Sequence, residues 1–99
     1  MILEAFTLKI KEEQTAKFEE NFQKASQVIN KAKGYIKHEL HGCKEIKNQY
    51  LLMIYWETYE NHMVDFRESE GFKEWRALIQ EFYAELPTVL HYDRVVYGI

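Results

Sequence analysis

The side chains that could do chemistry in this 99-residue chain are four histidines, one cysteine and a scatter of arginines and acids. Histidine titrates near neutral pH and serves as base, acid or metal ligand. His38 and His41 are three apart on a stretch that reads as a strand, so they point to opposite faces and cannot chelate together. His62 and Asp65 are three apart on a stretch that reads as a helix and could share a metal. No His-rich or Glu-rich sequence supplies further ligands, so no metal site is expected. His91, beside Tyr92, reads as a strand-edge histidine satisfied by water or backbone. Cys43 lies near Lys44 and Lys47, whose charge favours a thiolate. A cysteine nucleophile also needs a base and an oxyanion hole, and neither is legible beside it. There is no Gly-rich phosphate loop and no Gly-x-Ser-x-Gly elbow. Glu57, Glu60, Asp65, Glu68, Glu70 and Glu74 spread around helical faces and read as solvated surface.

The polar residues at the edges of apolar stripes are more informative. Arg76 follows Trp75 and lies one turn from Phe72 and Ile79, with Tyr83 seven residues on near the same line. Tyr59, His62 and Phe66 form a comparable line on a shorter helix. Two such helices roofing a sheet would leave an aromatic cleft with a few polar tips, suited to a flat aromatic ligand. The alternative is that the same rings fill a thin core.

Composition narrows the partners. Aromatics make up 15% of the chain and apolar residues 46%, which excludes a disordered chain and leaves rings for core, interface or ligand. The net charge of −3 sets nucleic acid aside. A single cysteine excludes an internal disulfide. The first residues lack a basic segment followed by a long apolar one, and no apolar run has the length of a membrane span. A cytoplasmic protein that does not engage a membrane is expected.

One domain over residues 1–99 must position these groups. Ile2 to Ile10 alternates, with Ile2, Phe6, Leu8 and Ile10 on one parity and Glu4 as the exception. From about Glu12 to Lys33, Phe18, Phe22, Ala25, Ile29 and Ala32 make a helical stripe. Glu12 and Glu13 open that helix and Lys31 and Lys33 close it, as the dipole prefers, before Gly34. Tyr35 to His41 and Tyr50 to Trp56 read as strands joined by a hairpin loop, the second apolar on both faces and hence central. Thr58 caps a short helix to about Glu68, and Ser69 caps a longer one with Phe72, Trp75, Ile79, Phe82 and Leu86 buried, stopped by Pro87. Thr88 to Ile99 reads as a last strand. The order β-α-β-β-α-β predicts an α+β, ferredoxin-like fold, a four-stranded antiparallel sheet with helices on one face. The other sheet face needs cover, which predicts a homodimer.

Trp56-Glu57-Thr58-Tyr59-Glu60 followed by Phe66-Arg67-Glu68-Ser69-Glu70-Gly71-Phe72-Lys73-Glu74-Trp75 resembles the antibiotic biosynthesis monooxygenase (ABM) domain family. There a strand ends in Trp-Glu-Ser/Thr, and a short helix leads through Ser-x-x-Phe into the next. The resemblance implies a dimeric α+β barrel with one ligand cleft per subunit, between sheet and helices. Members oxidise aromatic polyketides or quinols with O₂, often without a cofactor, and others degrade haem. The haem-degrading branch has Asn, Trp and a haem-ligating His where this chain has Thr7, Phe66 and Arg76. An arginine cannot ligate haem, so haem is disfavoured unless His62 substitutes. What the resemblance then implies is a cofactor-independent monooxygenase of a small aromatic or quinol-like compound. Arg76 would stabilise a phenolate or enolate, and His62 or His38 would be the base. Tyr83 and Thr7 would orient through hydroxyls, with Phe66 and Trp75 as flat walls and Tyr59 at the cleft. The alternatives are a non-enzymatic small-molecule-binding module on the same scaffold and a haem-handling protein with a non-standard ligand.

Overall fold

The computed structural model describes residues 1–98. Four strands form one antiparallel sheet in the order β2-β3-β1-β4. They are β1 (Ile2–Lys9), β2 (Tyr35–Gly42), β3 (Gln49–Trp56) and β4 (Leu90–Asp93). Helices α1 (Thr15–Ile29) and α2 (Glu70–Ile79) cover one face, and the π-wound turn Asn61–Phe66 lies between β3 and α2. This is the ferredoxin-like α+β arrangement that the element order predicts.

Alternation along the two central strands builds the core. Phe6 and Leu8 of β1 and Leu52, Ile54 and Trp56 of β3 are buried toward the helices. Phe18, Phe22, Ala25 and Ile29 descend onto them from α1, and Trp75 and Ile79 from α2. Glu4 keeps the same parity and is 3% exposed, so the polar exception in the pattern faces the core. No layer covers the opposite sheet face among the described residues. Leu51 of β3 and Leu90 and Tyr92 of β4 lie on it, exposed.

Several element ends differ from the sequence reading. Helix α1 begins only at Thr15, because Glu13 takes a left-handed turn (φ 64°). It ends at Ile29, before the turn that closes on Gly34 (φ 79°). Glu12, Glu13, Lys31 and Lys33 are therefore outside the helix and do not complement its dipole. Helix α2 stops at Ile79 and passes through a 3₁₀ turn (Gln80–Phe82) instead of running to Pro87. The backbone there is diverted onto the end of the sheet: Lys11 N–H donates to Phe82 C=O and Ala84 N–H to Lys9 C=O. Leu86 is 75% exposed and does not belong to the buried stripe. The last strand is only Leu90–Asp93, because Asp93 already pairs with Ile2 and β1 has no further length to offer. Residues 94–98 extend beyond the sheet, and Ile99, the predicted end of that strand, lies outside the described residues.

The roof is tied together by short polar links. Thr58 caps the π-wound turn: Asn61 N–H donates to its Oγ1, and Thr58 N–H donates back to Asn61 Oδ1. Asn61 also packs against Gly34, where a Cβ would stand 2.0 Å from Asn61 Oδ1. Ser69 accepts from Phe72 N–H as the α2 cap, while its hydroxyl donates to Phe66 C=O. One side chain thereby joins two helical segments. Ser69→Ala should lower stability by about 1–2 kcal/mol in urea or thermal unfolding. A loss below about 0.3 kcal/mol, within the scatter of ordinary surface substitutions, would show that the link contributes nothing.

Candidate functional site

A cavity of about 220 Å³ lies between the sheet and the roof. Phe6 and Ile54 form part of its floor on the sheet, and Phe66, Phe72 and Trp75 its aromatic walls. The polar groups on it are Glu4, His62, Arg67, Arg76, Gln80 and Tyr83. A cavity of ~150 Å³ holds one benzene, so this one suits a ligand of one or two rings.

Glu4 is the most unusual group. Burying an ionised carboxylate is costly, and the structure compensates only in part. Trp56 Nε1–H donates to Glu4 Oε1 at 2.9 Å, and His62 Nε2 lies 3.4 Å from the same oxygen. Burial pushes the carboxyl up to about 7, against the Trp56 hydrogen bond and the positive charge of Arg67. The indole of Trp56 also stacks on the His62 ring, with centroids 5.4 Å apart and planes 23° apart. Trp56 thus orients both partners of the pair.

His62 is 4% exposed. Burial, then the neighbouring His91 and Arg67, push it down to about 4, so it is neutral at pH 7. Burial disfavours charge on both members, and the Glu4–His62 approach is therefore a polar contact with a neutral ring rather than an ion pair. The other ring nitrogen, Nδ1, is 2.8 Å from Nε2 of His91. His91 stands directly opposite Glu4 across β1 and β4, and is partly exposed. Tyr59 packs edge-on against His91 at 4.8 Å.

Of the residues singled out in the sequence, the structure brings Arg76, His62, Phe66, Trp75 and Tyr83 to this one cavity. Arg76 sits at the exposed rim, over the Phe72 ring at 5.5 Å and bonded through Nε to Gln80 Oε1. Burial and the Glu4 charge raise the Tyr83 phenol, which stays a proton donor. Three residues stand elsewhere. Thr7 has the parity opposite to Glu4 and Phe6 and lines a groove on the open sheet face with Leu51 and Leu90. His38 faces the helices at the far strand β2, where Ser26 Oγ engages Nε2 at 2.8 Å and the Tyr35 hydroxyl engages Nδ1. A bulge between Tyr35 and Lys37 puts Tyr35 and His38 on the same side. Tyr59 is 45% exposed and touches His91, not the cavity.

The sequence reading missed Glu4, Arg67 and His91 as members of this cluster. Glu4 carried a signal, the one charge on an otherwise apolar parity. His91 is satisfied by His62, not by water or backbone alone, and that contact joins residues 29 apart. Among the described residues no three His, Cys, Asp or Glu side chains are placed to hold a metal ion. Every fully buried side-chain nitrogen or oxygen among them has a partner.

The profile of the antibiotic biosynthesis monooxygenase family matches residues 1–78. The uncharacterized protein YczJ of Bacillus subtilis (strain 168) is 44% identical over 95 residues, spanning 96% of this chain and 100% of that one. A crystal structure of a candidate antibiotic biosynthesis monooxygenase from Bordetella bronchiseptica superposes with a TM-score of 0.91 at 38% identity, covering 96% of this chain and 97% of the other. SnoaB, a cofactor-independent oxygenase from Streptomyces nogalater, superposes with a TM-score of 0.75 at 14% identity, over 99% of this chain and 94% of SnoaB. That last likeness is one of fold alone.

The buried pair makes stability depend on pH in two opposing ways. Glu4 holds its proton to about pH 7 in the folded chain but from 4.5 in the unfolded one. Its contribution is greatest at low pH and is lost as pH rises through that window. His62 titrates at about 4 folded against 6.5 unfolded, so its contribution appears as pH rises and is lost on acidification. Glu4→Gln should therefore gain stability relative to the parent as pH rises from 4.5 to 7, by at most ~1.4 kcal/mol per pH unit. Urea unfolding at several pH values measures this; parallel curves for the two proteins would contradict the burial of a titrating carboxyl.

Proposed function

Since the chain belongs to the antibiotic biosynthesis monooxygenase family, we propose that its cavity is the substrate site of a small monooxygenase of that type. It oxidises a one- or two-ring aromatic or quinol-like compound with O₂ and without a cofactor. The observation that carries this reading is the convergence of Arg76, His62, Phe66, Trp75 and Tyr83 on one cavity of about 220 Å³.

In such chemistry the substrate supplies the electrons. A hydroquinone and O₂ give a hydroxyquinone and water, with one oxygen atom retained. Loss of a hydroxyl proton converts the quinol to a phenolate, which gives up electrons to O₂ far more readily. The protein's tasks are to take that proton, hold the anion and exclude water. Phe66, Phe72 and Trp75 present ring faces and edges to a flat substrate. Arg76 and Arg67 at the rim place positive charge toward the developing phenolate. Tyr83 donates a hydrogen bond, and proton removal belongs to the His62 end of the cavity.

His62 has both ring nitrogens engaged, one beside Glu4 and one with His91. Haem ligation through either nitrogen would have to displace the group already against that nitrogen, which gives the haem reading no support. A binding module without chemistry remains the competing reading, and oxygen consumption separates the two. We further propose that the open sheet face packs on a second copy of the chain, covering Leu51, Leu90 and Tyr92.

With a panel of single-ring hydroquinones, the chain should consume oxygen. Arg76→Ala and His62→Ala should each lower the rate by about 10- to 100-fold. Ligand binding without oxygen uptake would establish the module instead. Light scattering at micromolar concentration should give about twice 12.0 kDa, and Leu51→Lys should return the monomer.

A further inference from the structure

Glu4 has no role in the reading above, although it lines the same cavity. It is also the start of a row. Glu4 Oε1 is 3.4 Å from Nε2 of His62, and Nδ1 of His62 is 2.8 Å from Nε2 of His91. Glu4 and His62 line the cavity and are buried, whereas His91 lies outside it and is partly exposed on the edge strand. The row therefore leads from the ligand cavity to solvent through two rings, His62 using both its nitrogens and His91 having one left for water.

We propose that Glu4 is the group that takes the substrate proton and that His62 and His91 relay protons between it and solvent. This rests on the monooxygenase reading for its substrate, a phenolic or enolic O–H, but not for the relay itself. The substrate O–H bond breaks, its electron pair stays on oxygen, and the proton joins the Glu4 carboxylate. To discharge, the carboxylic acid gives its proton to Nε2 of His62. The proton on Nδ1 of His62 passes to Nε2 of His91, and the proton on Nδ1 of His91 passes to water. One proton enters the row, one leaves, and no electron moves along it. Neither ring carries a net charge before or after, which suits a site where an imidazolium is disfavoured.

The setting supports Glu4 as the acceptor over His62 alone. A base works best when its pKa is near the working pH. Burial brings Glu4 to about 7 and takes His62 to about 4, so the carboxylate is the matched group and the ring is a conductor. The groups that face Glu4 are Trp56 on β3, His91 on β4, His62 and Arg67 on and just after the π-wound turn, and Tyr83 after α2. Arg76 lines the same cavity from α2. Arg67 favours the ionised carboxylate, and burial opposes it.

Two measurements test the relay. Nitrogen NMR of the imidazoles, on the full chain without substrate, should show His62 and His91 changing tautomer in one shared step near pH 7. Glu4→Gln should abolish that step. Independent titration of His91, unchanged in Glu4→Gln, would overturn the relay. In oxygen-uptake assays at low buffer, His91→Ala should slow turnover about 10-fold or more, and added imidazole should restore it. A full rate without rescue, or a slow rate that imidazole leaves unchanged, would equally overturn it. If the unaltered chain takes up no oxygen with any quinol, the monooxygenase reading fails, and the NMR titration alone decides the relay.

Discussion

A carboxylate inside an aromatic core is the constraint around which this molecule is arranged. Glu4 sits on a central strand with a neighbour on either side, so it cannot escape to solvent by fraying. It must be met by donors or stay protonated. Trp56, on the adjacent strand, supplies a donor, and its indole also fixes the plane of His62. Replacing Trp56 with another large apolar residue would keep the volume and lose both functions. The stretch Trp56-Glu57-Thr58 thereby has a physical meaning: the tryptophan holds the acid, and the threonine starts the turn that carries the histidine.

The remaining parts follow from where that acid lies. Four chain segments converge on it, namely β1, the end of β3, the π-wound turn and β4. The ferredoxin-like order makes this possible, because it places the first and last strands side by side and returns the second helical layer over them. The wider π winding belongs to the segment that carries His62, and such windings often occur at functional sites. Aromatic rings from α2, Phe72 and Trp75, line the same cavity as the acid.

The sequence made the layers legible and the row illegible, for different reasons. Periodicity reports which face of an element is apolar, so Phe18, Phe22 and Ile29 on α1, or Leu52 and Ile54 on β3, could be placed correctly. Arg76, Phe66 and Trp75 could be gathered for the same reason, since they ride the stripes of the roof. Contacts between distant segments have no period. His62 and His91 meet only because β4 pairs with β1 in a particular register. Thr7 enters through the resemblance alone, whereas strand parity sets it on the face opposite Glu4 and Phe6. Element ends were lost where backbone hydrogen bonds to the sheet overrode helical pattern, as at Phe82 and Ala84.

Gly34 lines no part of the cavity, yet it is where the site is most exposed to damage by inheritance. Its backbone is left-handed, and the room a Cβ would need is occupied by the amide of Asn61, the residue just before His62. Two independent demands, one conformational and one steric, thus fall on one position, and only hydrogen meets both. A survey of tolerated substitutions would mark Gly34 as strongly as any residue that touches substrate. Its intolerance would report the spacing between a sheet edge and a histidine-bearing turn, and a chemical role assigned to it on that ground would be mistaken.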